Sequence, residues 1–135
     1  MESIRDIRKD VRNHFMKKMK EHQIDMTIEM LDVLYILWEK DNINQREIVF
    51  KTNKDKASVT SLLDNLTKRG LVERKPDPSD KRNNLIALTK EGENYQAKLI
   101  PLLQEVYDLF LRDISSEELS HTIEVLQRIH QKMME

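Results

Sequence analysis

The amino-acid sequence predicts a mainly α-helical fold that carries one small β-hairpin. The 135 residues include only 2 Gly and 3 Pro, and 35% of them are charged, which favours long helices joined by short loops. Apolar residues recur at three- and four-residue steps through most of the chain, as they do on one face of a helix. Residues 71–88 break this rhythm, because two short strand-like runs there flank a charged turn with two prolines.

Apolar spacing predicts the first two helices. The first covers residues 3–21, with one stripe formed by Ile4, Ile7, Val11, Phe15 and Met19. The second runs from about Thr27, a suitable N-cap, to Glu39 and is apolar on most sides. We therefore expect the second helix to be the centre of the core.

Asn44 opens a third helix that ends near Thr52. Asn44 and Glu47 have the spacing of a capping box, and Ile48 and Val49 are expected to face inward.

After a turn at residues 53–54, Asp55 caps a fourth helix that stops at Gly70. The predicted buried stripe of this helix is Val59, Leu62, Leu63 and Leu66. Its polar side chains on other faces include Lys56, Ser58, Thr60, Ser61 and Asn65.

A short hairpin follows the fourth helix. Residues 71–75 read as a strand, residues 76–80 as a turn that the two prolines prevent from extending the strand, and residues 85–88 as the returning strand. Two short helices followed by a hairpin form a helix-turn-helix with a wing, an arrangement in which a surface helix enters the DNA major groove.

The fifth helix is capped by Thr89 and runs to about Arg112. Gly92 in its first turn weakens a helix, so we expect a close backbone contact there. Pro101 is expected to kink the helix about one turn upstream.

Ser115 and Glu118 form a second capping box at the start of a sixth helix. Its apolar seam is Leu119, Ile123, Leu126, Ile129 and Met133.

Three apolar stripes, on residues 3–21, 90–112 and 116–133, exceed what a winged module of about sixty residues can cover. The sequence therefore predicts one domain, residues 1–135, with a winged lobe at 27–89 and with residues 3–21 and 90–133 forming a homodimer interface. The alternative is a monomeric bundle in which all the stripes are internal.

Positive charge is concentrated where the helix-turn-helix lies. The whole chain has a formal net charge of −1, but residues 51–90 carry 10 Lys and Arg against 5 Asp and Glu. A local basic patch of this kind suits a phosphate backbone, although an ordinary solvated surface is the alternative.

Composition also sets limits on function and location. The absence of cysteine excludes disulfides, thiolate metal sites and thiol redox switches. The apolar runs are too short to span a membrane and the N-terminus is too charged for a signal peptide, so we expect a cytoplasmic protein. His14 and His22, like His121 and His130, are too far apart for chelation, and no motif indicates an enzyme, a metal site or a cofactor.

Residues 44–92 resemble the multiple-antibiotic-resistance regulator (MarR) family of bacterial winged-helix repressors. The matching pieces are NQREI, KASVTSLLDNLTKRGLVER, DPSDKRN and LIALTKEG, and the six-helix order extends the match to nearly the whole chain. The resemblance implies a transcriptional regulator, a ligand-responsive repressor that binds a palindromic operator in double-stranded DNA as a homodimer. The alternatives are a protein-interaction module that does not bind DNA and a metal-responsive regulator.

The resemblance also assigns DNA-contacting residues. The fourth helix becomes the recognition helix, and its matching positions are Lys56, Ser58, Thr60, Ser61 and Asn65. Ser61 stands where the family often has Arg, which should alter base choice. Asn53 replaces a common Gly between the helices, and Asn tolerates the left-handed conformation.

In the wing, the resemblance places Arg82 in the minor groove, Asp80 against its guanidinium and Lys81 on a phosphate. Ser79 stands where the family often has an Arg, which leaves the bracing of the wing open. The two cations at the base of the wing, Arg74 and Lys75, either contact phosphates or are solvated.

Family members commonly sense a small molecule between the dimer helices and the winged lobe. An effector cleft here would be lined by Phe15, Met19, Met30, Tyr35 and Trp38. Because such residues at helical spacing usually form core, the ligand-binding residues stay unassigned.

Overall fold

The structure, a computed structural model, describes residues 4–135. In this range the chain folds into six helices and three strands: α1 (Ile4–Glu21), α2 (Ile28–Glu39), β1 (Ile43–Asn44), α3 (Gln45–Thr52), α4 (Lys56–Lys68), β2 (Val72–Pro76), β3 (Asn84–Leu88), α5 (Lys90–Leu111) and α6 (Ser116–Met134). Two compact units divide the sequence between Ile100 and Pro101, and α5 continues as one helix through that proline. The predicted order of six helices with one wing is confirmed.

The core of the first unit is centred on α2, as predicted. Val33, Leu34 and Leu37 have no exposed surface, and α2 packs against both α3 and α4. Ile48 of α3 and Leu63 of α4 are equally buried. The two helices of the helix-turn-helix, α3 and α4, are therefore held by apolar packing against the same helix, α2.

Two predicted core positions are less buried than expected. Val49 of α3 and Leu62 of α4 are only half-buried, because each lies beside the buried stripe of its helix and not on it.

The sheet contains a strand that the sequence pattern did not show. β1 has two residues and pairs antiparallel with β3, Ile43 opposite Ile86, so that β3 lies between β1 and β2. Two residues are too few to show a period of two, which is why this strand was missed.

The first wing strand was predicted to stop before Pro76, and this prediction was wrong. Pro76 is the last residue of β2 and lies opposite Asn84, where β3 begins. An edge strand tolerates proline at such a position because the missing N–H need not take part in the ladder.

Most helix caps are those that the sequence predicts. Thr27 accepts the Met30 amide, Asp55 accepts the Ser58 amide, and Ser115 with Glu118 forms the complete capping box.

The turns at the two ends of α4 also confirm the sequence-based expectations. Asn53 adopts the left-handed conformation (φ 52°), and so does Gly70 (φ 72°). Beyond α4, the Leu71 amide donates to the Leu66 carbonyl (3.0 Å) and the Gly70 amide donates to that of Thr67 (2.9 Å).

The capping box predicted at Asn44 and Glu47 is not formed. The Asn44 side chain does accept the Arg46 amide (2.8 Å), but the Glu47 carboxylate pairs with Lys40 Nζ (3.5 Å). The Glu47 side chain therefore does not reach back to the Asn44 backbone amide, as a capping box requires.

Gly92 sits where the start of α5 meets the turn that follows α4. A Cβ atom on Gly92 would lie 2.0 Å from the Leu71 carbonyl oxygen, so the predicted close backbone contact is confirmed. The same oxygen accepts the Thr89 amide (3.1 Å), and the Gly92 carbonyl accepts the Trp38 indole N–H (2.9 Å). These contacts, which we call the Gly92 junction (Trp38, Leu71, Thr89, Gly92), join α2, the entry to the wing and α5.

We expect Gly92→Ala to destabilise the fold by about 3 kcal/mol, because the added methyl group must displace backbone. Helix propensity alone would give the opposite sign, a gain of about 1 kcal/mol. Urea unfolding followed by circular dichroism measures the change. Glu93→Ala, at an exposed position in the same turn, is the control and should stay within about 0.5 kcal/mol. A Gly92→Ala variant as stable as the parent would contradict the close contact.

Candidate nucleic-acid interface

The first turn of α4 is organised by its N-cap. Asp55 accepts hydrogen bonds from the Ser58 amide and the Ser58 hydroxyl, both at 2.8 Å, and these bonds lower the pKa of the Asp55 carboxyl. Since the Ser58 hydroxyl donates its proton to Asp55, its oxygen can act toward a ligand only as an acceptor. Lys56 and Ser61 are exposed. This end of α4 therefore presents one cation, two hydroxyl groups and the exposed Asp55 carboxylate.

Thr60 and Asn65, two predicted DNA contacts, are partly occupied within the protein. The Thr60 hydroxyl donates to the Lys56 carbonyl and accepts from Gln45 Nε2, both at 2.9 Å. The Asn65 amide nitrogen donates to the Ser61 carbonyl (3.2 Å). Thr60 thus ties α3 to α4, and Gln45 is a positioning residue that the sequence pattern did not reveal.

Arg74 connects the base of the wing to α4. Its guanidinium forms an ion pair with Asp64 (2.8 Å) and donates to the Thr60 carbonyl (3.5 Å). Such a contact fixes the distance between strand β2 and the recognition helix. Lys75, its neighbour, pairs on the surface with Glu73 (3.2 Å). The role of Asp64 could not be identified from the sequence, because its partner Arg74 is ten residues further along the chain.

The tip of the wing is held by its own acidic side chains. Asp77 accepts from the Ser79 amide (2.9 Å) and the Ser79 hydroxyl (2.7 Å), and these bonds lower the pKa of the Asp77 carboxyl. The Asp77 amide donates across the turn to the Asn83 carbonyl (3.2 Å). Ser79 therefore braces the turn locally.

Asp80 holds the second half of the wing tip. It accepts from the Arg82 backbone amide (3.0 Å) and from the Asn83 side-chain amide (3.1 Å). The sequence predicted that Asp80 would hold the Arg82 guanidinium. In the structure the Asp80 carboxylate binds the backbone amide of Arg82 instead. The side chains of Lys81 and Arg82 are exposed, and within residues 4–135 neither forms an ion pair.

Two of the predicted DNA contacts come together across the interface. Lys56 of α4 and Arg82 of the wing line one groove of about 290 Å³. The recognition helix and the wing therefore present their free cations at a common surface.

The residues considered for an effector cleft have different environments. Met19 and Met30 are buried core residues, Phe15 and Trp38 are half-buried, and Tyr35 is 58% exposed. Trp38 is engaged in the Gly92 junction. Across the described part of the chain, no three His, Asp or Glu side chains are grouped so as to hold a metal ion. None of the described helices has the long apolar stretch that a membrane span requires.

Comparison with known proteins points to one family. The MarR family profile matches residues 26–83. The transcriptional regulator HosA of Escherichia coli O111:H- is 33% identical over 115 residues, which cover 84% of this chain and 82% of HosA.

Solved structures share the fold at low sequence identity. A MarR transcriptional regulator from Methanosarcina mazei Go1 superimposes with a TM-score of 0.81 at 19% identity, covering 96% of this chain and 94% of that one. The PcaV transcriptional regulator from Streptomyces coelicolor, in complex with its natural ligand, gives 0.69 at 23% identity, covering 79% and 76%.

The Asp77–Ser79 contact predicts a measurable shift in carboxyl titration. Because the hydrogen bonds favour the charged carboxylate, wing order that depends on them is present at neutral pH and is lost as pH falls through the lowered pKa of Asp77. Ser79→Ala removes the hydroxyl donor and should raise that pKa toward its ordinary value, as measured by ¹³C NMR of the carboxyl carbon. Asp55, whose lowered pKa comes from Ser58 and not from Ser79, serves as the internal control. An unchanged Asp77 titration would contradict the contact.

Proposed function

Because the chain belongs to the MarR family of transcriptional regulators, we propose that it binds double-stranded DNA as a homodimer and represses transcription from a palindromic operator. The observation that carries this proposal is the shared surface of Lys56 and Arg82, two cations without protein partners in residues 4–135, on the recognition helix and the wing. Positive charge left unpaired in this way attracts a phosphate backbone. Its place of action would be the cytoplasm, where bacterial DNA lies.

The recognition helix would read bases through its first turns. Lys56 can donate to guanine, and the Ser58 hydroxyl oxygen can accept from a base amino group. Ser61 is exposed and can reach a base or a phosphate, and the Asn65 side-chain carbonyl stays available for adenine. Thr60 would act through the bond to Gln45, which sets how far α4 projects.

The wing would occupy the adjacent minor groove. Arg82 is the inserted side chain, Asp80 fixes the backbone that carries it, and Lys81 and Lys75 would contact phosphates. Arg74 would position the wing against α4 through Asp64 and would contact DNA only secondarily. Arg74 is given the positioning role because its charge is paired with Asp64 at the base of the wing, whereas the Lys75–Glu73 pair lies on the exposed surface, where a phosphate can compete for Lys75.

Unpartnered apolar side chains support the dimer. On α1, Ile4 is 81% exposed, and Ile7 and Val11 are also exposed. On α6 the exposed members of the predicted seam are Ile123, Leu126, Ile129 and Met133. Apolar stripes of this length mark interfaces, so residues 3–21 and 90–133 would dimerise and residues 27–89 would form the DNA-binding lobe.

A small-molecule effector is part of the proposal. PcaV, a structural neighbour, is solved in complex with its natural ligand, and its fold matches 79% of this chain. The dimer would have two states that differ in the spacing of the two recognition helices. An effector that binds one state more tightly would change the operator affinity by at most the ratio of its affinities for the two states.

We expect Arg82→Ala to weaken binding to a random duplex about tenfold at 0.1 M salt and to lower the salt slope of log affinity by about 1, because one phosphate-proximal cation is lost. Gel shift over a salt series measures both quantities. Lys51→Ala, which removes an exposed cation of α3 that the proposal does not place on DNA, is the control and should bind like the parent. If the parent binds no duplex at any salt, the protein-interaction alternative replaces this proposal.

We expect Leu126→Glu to convert the dimer to monomers, because a charge in the apolar seam of α6 would be buried without a partner. Sedimentation velocity measures the change. Gln127→Glu adds the same charge one residue further around the helix and should leave the dimer intact. A parent protein that sediments as a monomer would contradict the dimer.

A further inference from the structure

We propose that the groove between α3, α4 and the wing holds a phosphate of the DNA backbone, and that Arg46 is one of its contacts. The inference rests on the proposed function and adds a binding residue that the sequence pattern did not indicate. We call this site the cation groove. Its cations are Arg46, Lys56 and Arg82, and its amides are Asn44, Gln45, Asn83 and Asn84.

The charge lining the cation groove is one-sided. Three cations face a space of about 290 Å³, and no carboxylate lines it. Two other depressions on the described surface mix cations with carboxylates: the one with Arg69 and Lys98 also has Asp25 and Glu91, and the one with Lys54 also has Glu29 and Asp55. Like charges held together repel, so an anion in the cation groove would relieve that repulsion.

Each of the three cations has a fixed backbone and an unengaged charge. The Arg46 amide donates to Asn44, the Arg82 amide donates to Asp80, and Lys56 directly follows the N-cap Asp55. Within residues 4–135, none of the three charged groups forms an ion pair or hydrogen bond. The protein therefore positions the base of each side chain and leaves its charge for a partner.

The path of DNA identifies that partner. If α4 lies in the major groove and Arg82 in the adjacent minor groove, the sugar-phosphate strand that separates the two grooves must pass between them. The cation groove lies there, because α4 contributes Lys56 and the wing contributes Arg82. Arg46 approaches from α3, the helix that crosses the backbone in a helix-turn-helix. A phosphate group, with several oxygens, can accept from all three elements.

The test removes the charge of Arg46. Arg46→Gln should bind duplex DNA about tenfold more weakly at 0.1 M salt, with a salt slope lower by about 1. The loss should be the same for a selected operator and for a random duplex, since a phosphate contact carries no sequence information. Lys51→Gln removes a charge from the same helix roughly 140° further around and should bind like the parent.

A second variant tests the groove without removing a cation. Asn84→Asp keeps the side-chain shape and places a carboxylate in the groove, so it should also weaken binding several-fold. Circular dichroism of both variants confirms that they are folded. If both variants fold and bind duplex DNA with the affinity and salt slope of the parent, the inference is overturned.

A titration with inorganic phosphate distinguishes a phosphate of the DNA backbone from a free phosphate ion as the occupant of the cation groove. Calorimetric titration of the parent with phosphate alone should give no saturable heat, because a single free anion lacks the duplex that brings it to the groove. Saturable binding that Arg46→Gln abolishes, with DNA affinity unchanged, would assign the groove to a free anion and overturn the proposal. A parent that binds no duplex would overturn the proposed function itself, a separate result from failure of the Arg46 contact alone.

Discussion

At the Gly92 junction, the backbone of α5 lies against the carbonyl of Leu71, with no room for a side chain between them. Leu71 lies between two functional elements. It follows Gly70, in the turn that ends the recognition helix, and it immediately precedes β2, the first strand of the wing. The Thr89 hydroxyl binds the Gly70 carbonyl at 2.5 Å, and Trp38 brings in the central core helix. The end of the recognition helix, the base of the wing and the start of α5 are therefore held at one point.

Away from the Gly92 junction, polar contacts align the recognition helix with α3 and with the wing. Gln45 fixes Thr60, and Arg74 spans from β2 to Asp64 on α4. The wing tip contains no glycine and is shaped by Asp77 and Asp80 through short hydrogen bonds to neighbouring residues. In this arrangement Asp64, Asp77 and Asp80 bind groups of the protein itself, whereas Lys56, Lys81 and Arg82 form no ion pair within residues 4–135.

Local chemistry could be read from the sequence, and contacts between distant residues could not. Thr27, Asp55 and Gly70 act within three or four residues of their own position, so their types and spacing revealed their roles. The strand β1 and the Glu47–Lys40 pair depend on neighbours brought in by folding. Pro76 shows the same limit, because whether a proline can end a strand depends on whether that strand lies at the edge of the sheet.

The sequence by itself determined the order of the helices, most of their caps, the basic character of residues 51–90 and the need for close packing at Gly92, because each follows from spacing and composition along the chain. The tertiary structure decided which charges are already used. Arg74 and Lys75 are adjacent and chemically alike, yet Arg74 faces Asp64 whereas Lys75 pairs only on the surface. Arg46 became a candidate contact only when folding placed it beside Lys56 and Arg82. Such distinctions depend on distances in space, which spacing along the chain does not fix.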